Sequence, residues 1–183
     1  MNLERLKKLS YEELQSARRG FDEKPGSQRL PVSVLLDDIR SLHNVGSIFR
    51  TSDAVCVEKL YLCGITGTPP RDEIRKTSLG AEESVPWTFT ENPLEVTRSL
   101  KNQGYRLVAL EQTDGSIDYR TASYSFPLCL ILGHEYRGIR DELVEACDMA
   151  IDIPMHGLKT SLNVSVSFGV AIYHIRSRWE EKV

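Results

Sequence analysis

Three short stretches hold the residues able to do chemistry. "DDIRSLHNVGSIFR" (37–50) carries Asn44 and Arg50, "GHEYRGI" (133–139) sets His134, Glu135 and Arg137 among glycines, and "PMHGLKTSLNVS" (154–165) offers Ser161 and Asn163. An arginine among apolar residues of a helical stretch reads two ways. It is a solvated charge paired with Asp53 three residues on, or a planar fork that faces an anionic substrate. Gly133 and Gly138 let a backbone approach a ligand closely, or they merely make a turn. Ser161 and Asn163 cap the helix that follows them, or they touch a ligand as well. Asn44 is placed to cap the helix that contains Arg50. No Lys-Ser/Thr follows the second stretch, so it is not a Walker A loop, and it is not GxGxxG either.

These stretches need elements to position them. "VSVLL" (32–36), "KLYLCGI" (59–65), "YRLVAL" (105–110), "PLCLIL" (127–132) and "MAIDI" (149–153) read as buried strands. Helices come between them. Val45, Ile48, Phe49 and Ser52 form an inward face on the first, while Gly46, Arg50 and Asp53 form a separate stripe with nothing large to shield the guanidinium. Asn92 caps a helix that starts at Pro93 and ends near Gly104, "RDELVEAC" (140–147) is a short helix, and a last helix runs from about Val164 to Trp179. Strands spaced by helices imply an α/β fold with a mostly parallel sheet flanked by helices. In such sheets ligands bind beyond the carboxyl ends of the strands, and all three stretches follow strands.

Composition narrows the class. The 183 residues suffice for one domain with a full core; 40% are hydrophobic and 27% charged, ordinary for a soluble protein. No run reaches a membrane span, and "MNLERLKKLSYEELQ" lacks the apolar core of a signal peptide, so a cytoplasmic protein is expected. Cys56, Cys63, Cys129 and Cys147 make no CxxC pair and read as reduced, mostly buried thiols; no metal site is expected. The net charge of −3 is uneven: residues 1–29 hold 7 Lys and Arg against 5 Asp and Glu, the remainder 16 against 21. A nucleic-acid partner would have to use local basic patches. Residues 1–29 read as a helical extension and linker. "SYEE" is a capping box with Ser10 and Glu13, Gly20 suits a helix stop, and "DEKPGSQ" is the linker.

"NVGSIFR", "LILGHEYRGI" and "IPMHGLKTSLNVSVS", in this order, resemble the three motifs of the SpoU (TrmH) family, S-adenosylmethionine-dependent RNA ribose 2′-O-methyltransferases of the SPOUT superfamily. The resemblance covers residues 31–178, so the methyltransferase domain is placed at 30–183. It implies a C-terminal trefoil knot, against the usual rule that chains are unknotted. It implies a homodimer whose active sites lie at the subunit interface, with Arg50 reaching the partner's site. Val164, Phe168 and Ile172 on the final helix fit a dimer face as well as a core face. The implied cofactor is S-adenosylmethionine, with contacts falling on Leu132, Gly133, Glu135, Ile153, Met155, Leu158, Ser161, Leu162 and Asn163.

The implied reaction is in-line displacement at a sulfonium methyl by a ribose 2′-hydroxyl of tRNA or rRNA. The leaving group becomes neutral, so charge balance calls for no metal. Arg50 is cast in the family as general base. A permanently protonated guanidinium is better suited to grip the adjacent phosphate and stabilise the forming alkoxide. Asn44 orients Arg50 or the ribose, Glu135 anchors the cofactor loop or meets the target, and Ser161 and Asn163 shape the third loop. His134 is a loop residue, and His43, His156 and His174 receive no catalytic role. RNA contacts are expected from Arg40, Arg50, Arg71, Arg75 and Lys76, and from Arg18 and Arg19 at the end of the first helix, where the dipole also favours cations. A non-catalytic RNA-binding or assembly protein that kept the knotted fold is the alternative. The acidic net charge and the short extension leave tRNA and rRNA both open.

Overall fold

A computed structural model describes residues 7–18 and 29–183. Helix α1 (Tyr11–Arg18) opens with the expected capping box: the Glu13 amide donates to Ser10 Oγ at 3.2 Å and the Ser10 amide donates to the Glu13 carboxylate at 2.6 Å. Gly20, the linker at 22–28, Arg19 and the Arg18 side chain lie outside the described residues.

The rest follows the order β1 (Leu30–Asp37), α2 (Leu42–Ala54), β2 (Val57–Cys63), α3 (Asp72–Ser78), α4 (Ala81–Ser84), β3 (Trp87–Thr90), α5 (Pro93–Asn102), β4 (Arg106–Leu110), β5 (Ile117–Asp118), β6 (Leu128–Leu132), α6 (Asp141–Ala146), β7 (Met149–Asp152) and α7 (Val164–Glu180). The seven strands form one sheet in the order β3-β2-β1-β6-β4-β7-β5, and every pairing is parallel. Parallel strands covered on both faces read as continuous apolar runs, which is why β1 and β6 were legible. Their side chains sort by twos. Val34, Leu36, Leu128, Leu130 and Leu132 join the core shared with α2 and α7. Leu35, Cys129 and Ile131 join the opposite core, with Leu100 of α5 and Leu143 of α6. Because all strands run one way, the exits of β1, β4, β6 and β7 share one edge of the sheet.

Two expectations change at α2. Its N-cap is Ser41, whose hydroxyl accepts from the Asn44 amide at 3.4 Å; Asn44 sits within the first turn and caps nothing. Gly46 does not leave open space before Arg50. A Cβ there would lie 2.1 Å from Thr77 Oγ1 and 2.3 Å from the Ile74 carbonyl oxygen. Thr77 Oγ1 also donates to the His43 carbonyl at 3.0 Å, so α3 is fastened to the first turns of α2 through the glycine. Gly46→Ala forces the two helices apart against backbone. It is expected to cost about 1–3 kcal/mol, read as a lower urea midpoint with an unchanged slope.

The face Val45, Ile48, Phe49 and Ser52 is buried as expected. Phe168, Ala171, Ile172 and Ile175 of α7 are buried in the same core. Phe168 and Ile172 therefore serve the core, while Val164 is half-buried at the helix start. Cys63 and Cys129 are buried, Cys56 and Cys147 half-buried, and none of the four forms a disulfide; burial pushes the Cys63 and Cys147 thiols up to about 12. Strand β2 stops at Cys63 and β7 at Asp152, earlier than read from sequence, which frees Gly64, Ile65 and Ile153 for loops. α3, α4, β3 and β5 were not foreseen. Among the described residues no helix is long and apolar enough to cross a membrane.

Candidate active site

The first and second stretches meet through Glu135. Its carboxylate accepts from the Arg40 amide at 3.1 Å, the Ser41 amide at 3.0 Å and Asn44 Nδ2 at 2.8 Å. Partial burial pushes the group up, but its own main-chain amide and these donors together more than offset it and hold it below the usual range for a glutamate. The third stretch joins at the same point: Asn163 Nδ2 donates to Asn44 Oδ1 at 3.1 Å. Asn163 Oδ1 in turn caps α7, accepting from the Ser165 amide at 2.9 Å. The Asn44 amide thus bridges a carboxylate from one loop and an amide from another, 91 and 119 residues away along the chain.

Beside this junction lies a cleft of about 270 Å³, near the lower end of small-molecule sites. Eight of the nine expected cofactor residues line it: Leu132, Gly133, Glu135, Ile153, Met155, Ser161, Leu162 and Asn163. Leu158 does not; it is fully exposed and stands away from the cleft. Gly133 is needed for loop closure, since a Cβ there would lie 2.2 Å from the Ile139 nitrogen and 2.3 Å from the Gly138 carbonyl carbon. Residues 155–162 donate no main-chain hydrogen bond to the described residues and accept one, from Gln112 Nε2 to the Thr160 carbonyl at 2.6 Å. Their remaining peptide groups are available to the polar edge of a ligand. Ser161 lines the cleft without a partner among the described residues.

Arg50 stands apart. It is exposed and does not line the cleft. Nor does it pair with Asp53: that carboxylate accepts from Ser84 Oγ at 2.6 Å. Arg50 has no ion pair among the described residues, and neither have Arg40, Arg71, Arg75 and Lys76, all exposed.

Comparison with known proteins decides the family. Residues 31–173 match the model of the SpoU rRNA Methylase family. The chain belongs to this family. It is 36% identical over 152 residues to a tRNA (guanosine(18)-2′-O)-methyltransferase of Aquifex aeolicus, an alignment covering 81% of this chain and 70% of that protein. The solved structure of the A. aeolicus TrmH/SpoU tRNA modifying enzyme superposes with a TM-score of 0.77 at 34% identity, over 84% of this chain and 78% of that one. An AdoMet-bound rRNA methyltransferase from Sinorhizobium meliloti superposes with a TM-score of 0.76 at 30% identity, over 82% of this chain and 57% of that one.

Two features of this SpoU chain escaped the sequence reading. The exit of β4 is a fourth wall of the cleft: Glu111 Oε2 accepts from the Ile139 amide at 3.0 Å, and Gln112 holds the third loop as above. "YRLVAL" reads as a strand, and the same strand-exit rule points to the "EQ" after it. Beneath the junction, Arg140 forks onto buried Asp37, Nε to Oδ2 at 2.9 Å and Nη2 to Oδ1 at 2.5 Å, and reaches Asp38 at 3.0 Å. Burial raises the Asp37 carboxyl despite that partner. This pair ties the exit of β1 to the end of the second loop, and nothing local in the sequence marks it.

Proposed function

We propose that this SpoU chain is an RNA ribose 2′-O-methyltransferase that takes its methyl group from S-adenosylmethionine and acts on tRNA or rRNA. Its cofactor, when bound, supplies an electrophilic methyl on a sulfonium. The observation that carries the reading is the chain of contacts from Glu135 through Asn44 to Asn163, which ties the first motif loop to the two motif loops that line the cleft. The cleft suits the cofactor. Leu132, Ile153, Met155 and Leu162 provide apolar walls, and the unpaired peptide groups of 155–162 provide partners for a polar ring edge.

The active unit is a homodimer. Arg50 lies six residues beyond Asn44 on α2, roughly 9 Å along the axis and about 240° around it. It therefore leaves the helix on a different side from the group that borders its own cleft. A guanidinium so placed serves a neighbouring subunit's site. Val166 and Tyr173, one heptad apart on the outer face of α7, are half-exposed apolar side chains suited to the subunit contact. In that setting Arg50 grips the phosphate beside the target ribose and stabilises the developing alkoxide, with the proton passing to the phosphate or to water. Asn44 and Asn163 hold the loops in register. Arg40, Arg71, Arg75 and Lys76 form the RNA-facing cations. Residues 30–183 form the methyltransferase domain and 1–29 a separate extension. The passage of the third loop against Gln112, before α7 returns onto α2, supports a trefoil knot in the C-terminal part. RNA substrates place the work in the cytoplasm.

The test is titration with S-adenosylmethionine by calorimetry, followed by transfer of its labelled methyl to RNA from cells lacking the gene, with nucleoside analysis. Saturable binding and a 2′-O-methylated nucleoside are expected. Binding of RNA without binding of the cofactor would leave a non-catalytic RNA-binding protein on this fold.

A further inference from the structure

The second loop carries a side chain that the reaction so far does not use. Tyr136 lines the cleft yet is 87% exposed, and its hydroxyl has no partner among the described residues. The tip that carries it is held firmly. His134 and Gly138 exchange both main-chain hydrogen bonds, at 3.0 and 2.8 Å. His134 Nδ1 accepts from the Tyr136 amide at 3.0 Å and from the Arg137 amide at 3.4 Å. Glu111 supports the closing residue Ile139 from behind. His134 is therefore the inner brace of a tight hairpin tip, in keeping with its reading as a loop residue. It fixes the backbone from which Tyr136 and Arg137 project. Arg137 is exposed and makes no ion pair among the described residues.

A braced aromatic ring at the rim of a cleft, with a free cation beside it, is what an unstacked nucleotide needs. Bases inside a duplex have no free π-face, and proteins that read RNA through bases stack splayed-out ones on Tyr, Phe or Trp. We propose that Tyr136 is a substrate-positioning residue. Its ring stacks on the base of the nucleotide being methylated or of its immediate neighbour, with Arg137 on the adjoining phosphate, so that the cleft accepts a ribose from a single-stranded segment. This rests on the reading of the chain as an RNA methyltransferase and goes beyond it, because it names the substrate form and the residue that selects it. Stacking tolerates any base, so Tyr136 provides affinity and orientation rather than base identity.

Three proteins test it: wild type, Tyr136→Phe and Tyr136→Leu. RNA from cells lacking the gene serves as substrate and labelled S-adenosylmethionine as donor. Tyr136→Leu is expected to lose about tenfold in kcat/KM for RNA, within the roughly 5- to 150-fold carried by one base–aromatic stack, while Tyr136→Phe stays close to wild type. Calorimetric affinity for S-adenosylmethionine stays unchanged in both variants. Ultraviolet crosslinking of wild type to the same RNA should place a crosslink on the peptide spanning 134–138. Wild-type kinetics in Tyr136→Leu, a matching fall in cofactor affinity, or an uncrosslinked 134–138 peptide in an RNA complex each overturns the proposal. A protein that crosslinks RNA through this peptide but transfers no methyl would instead overturn the methyltransferase reading and leave the stacking site in place.

Discussion

Arg50→Lys lowers methyl transfer to RNA by about 100-fold or more and leaves the affinity for S-adenosylmethionine unchanged. The size follows from what the side chain is asked to do. Removing one donor aimed at a developing oxyanion costs on the order of 10²–10³ in rate. A lysine keeps the charge but not the planar fork that can hold a phosphate oxygen and an alkoxide together. The structure keeps this guanidinium available. Asp53, its natural partner one helical turn on, is held by Ser84, and the Glu82 carboxylate of α4 accepts from Ser78 Oγ. The helix beneath it is fixed to α3 at Gly46. The cofactor affinity should not move, because the groups Arg50 is asked to hold, the phosphate and the forming alkoxide, belong to the RNA and not to the cofactor. Mixing adds a second readout. Dimers that pair an Arg50→Lys protomer with a Glu135→Ala protomer regain one working site if Arg50 serves the partner. At a cofactor concentration that loads the wild-type cleft but not the Glu135→Ala cleft, random mixing of the two proteins then restores about a quarter of wild-type activity. Near-normal turnover in Arg50→Lys removes this residue from the chemistry, and a mixture with no recovery removes the exchange between subunits.

The strands and long helices were legible because their signals are local. β1 and β6 are uninterrupted apolar runs, α5 carries Asn92 and Pro93 at its start, and Phe168, Ile172 and Ile175 repeat at helical spacing. The missed elements are short or half-exposed. β5 has two residues and β3 four, too few to show an alternation, and α3 buries only Ile74 and Ser78. Asn44 shows a different kind of failure. As a residue type it is as good a cap as Ser41, so propensity could not choose between them. The choice is made by Glu135, 91 residues away, which accepts from the Asn44 side chain and from the Ser41 amide together. Arg140 and Asp37, 103 residues apart, are invisible for the same reason. The cleft residues came from the motif resemblance, which names positions but not orientation. Leu158 lies within the third motif and still points into solvent.

Glu135→Ala weakens S-adenosylmethionine binding by about 10- to 100-fold. It removes one acceptor that three donors share, and hydrogen bonds to a charged group contribute about 1.5–3 kcal/mol each way of counting. Water can serve the exposed Arg40 amide. The half-buried Ser41 amide and Asn44 Nδ2 are less easily satisfied, and Asn44 then loses the orientation in which it receives Asn163. The third loop, which supplies most of one cleft wall, is released along with it. Glu135→Gln should fall between alanine and wild type: its carbonyl can still accept from Asn44 and Ser41, but its amino group faces the Arg40 amide, donor against donor. The pH dependence has a definite sign. The carboxyl is held below the usual glutamate range in the folded protein, so the unfolded chain binds a proton first as pH falls. The contribution of Glu135 is therefore complete above the ordinary glutamate value of about 4.3 and is lost as pH drops through the lower folded value. Urea midpoints measured from neutral pH into that range should show a wild-type decline that Glu135→Gln partly lacks. Cofactor affinity in Glu135→Ala equal to wild type would mean that the three loops keep their register without this carboxylate, and that the contact from Glu135 through Asn44 to Asn163 is not what shapes the cleft.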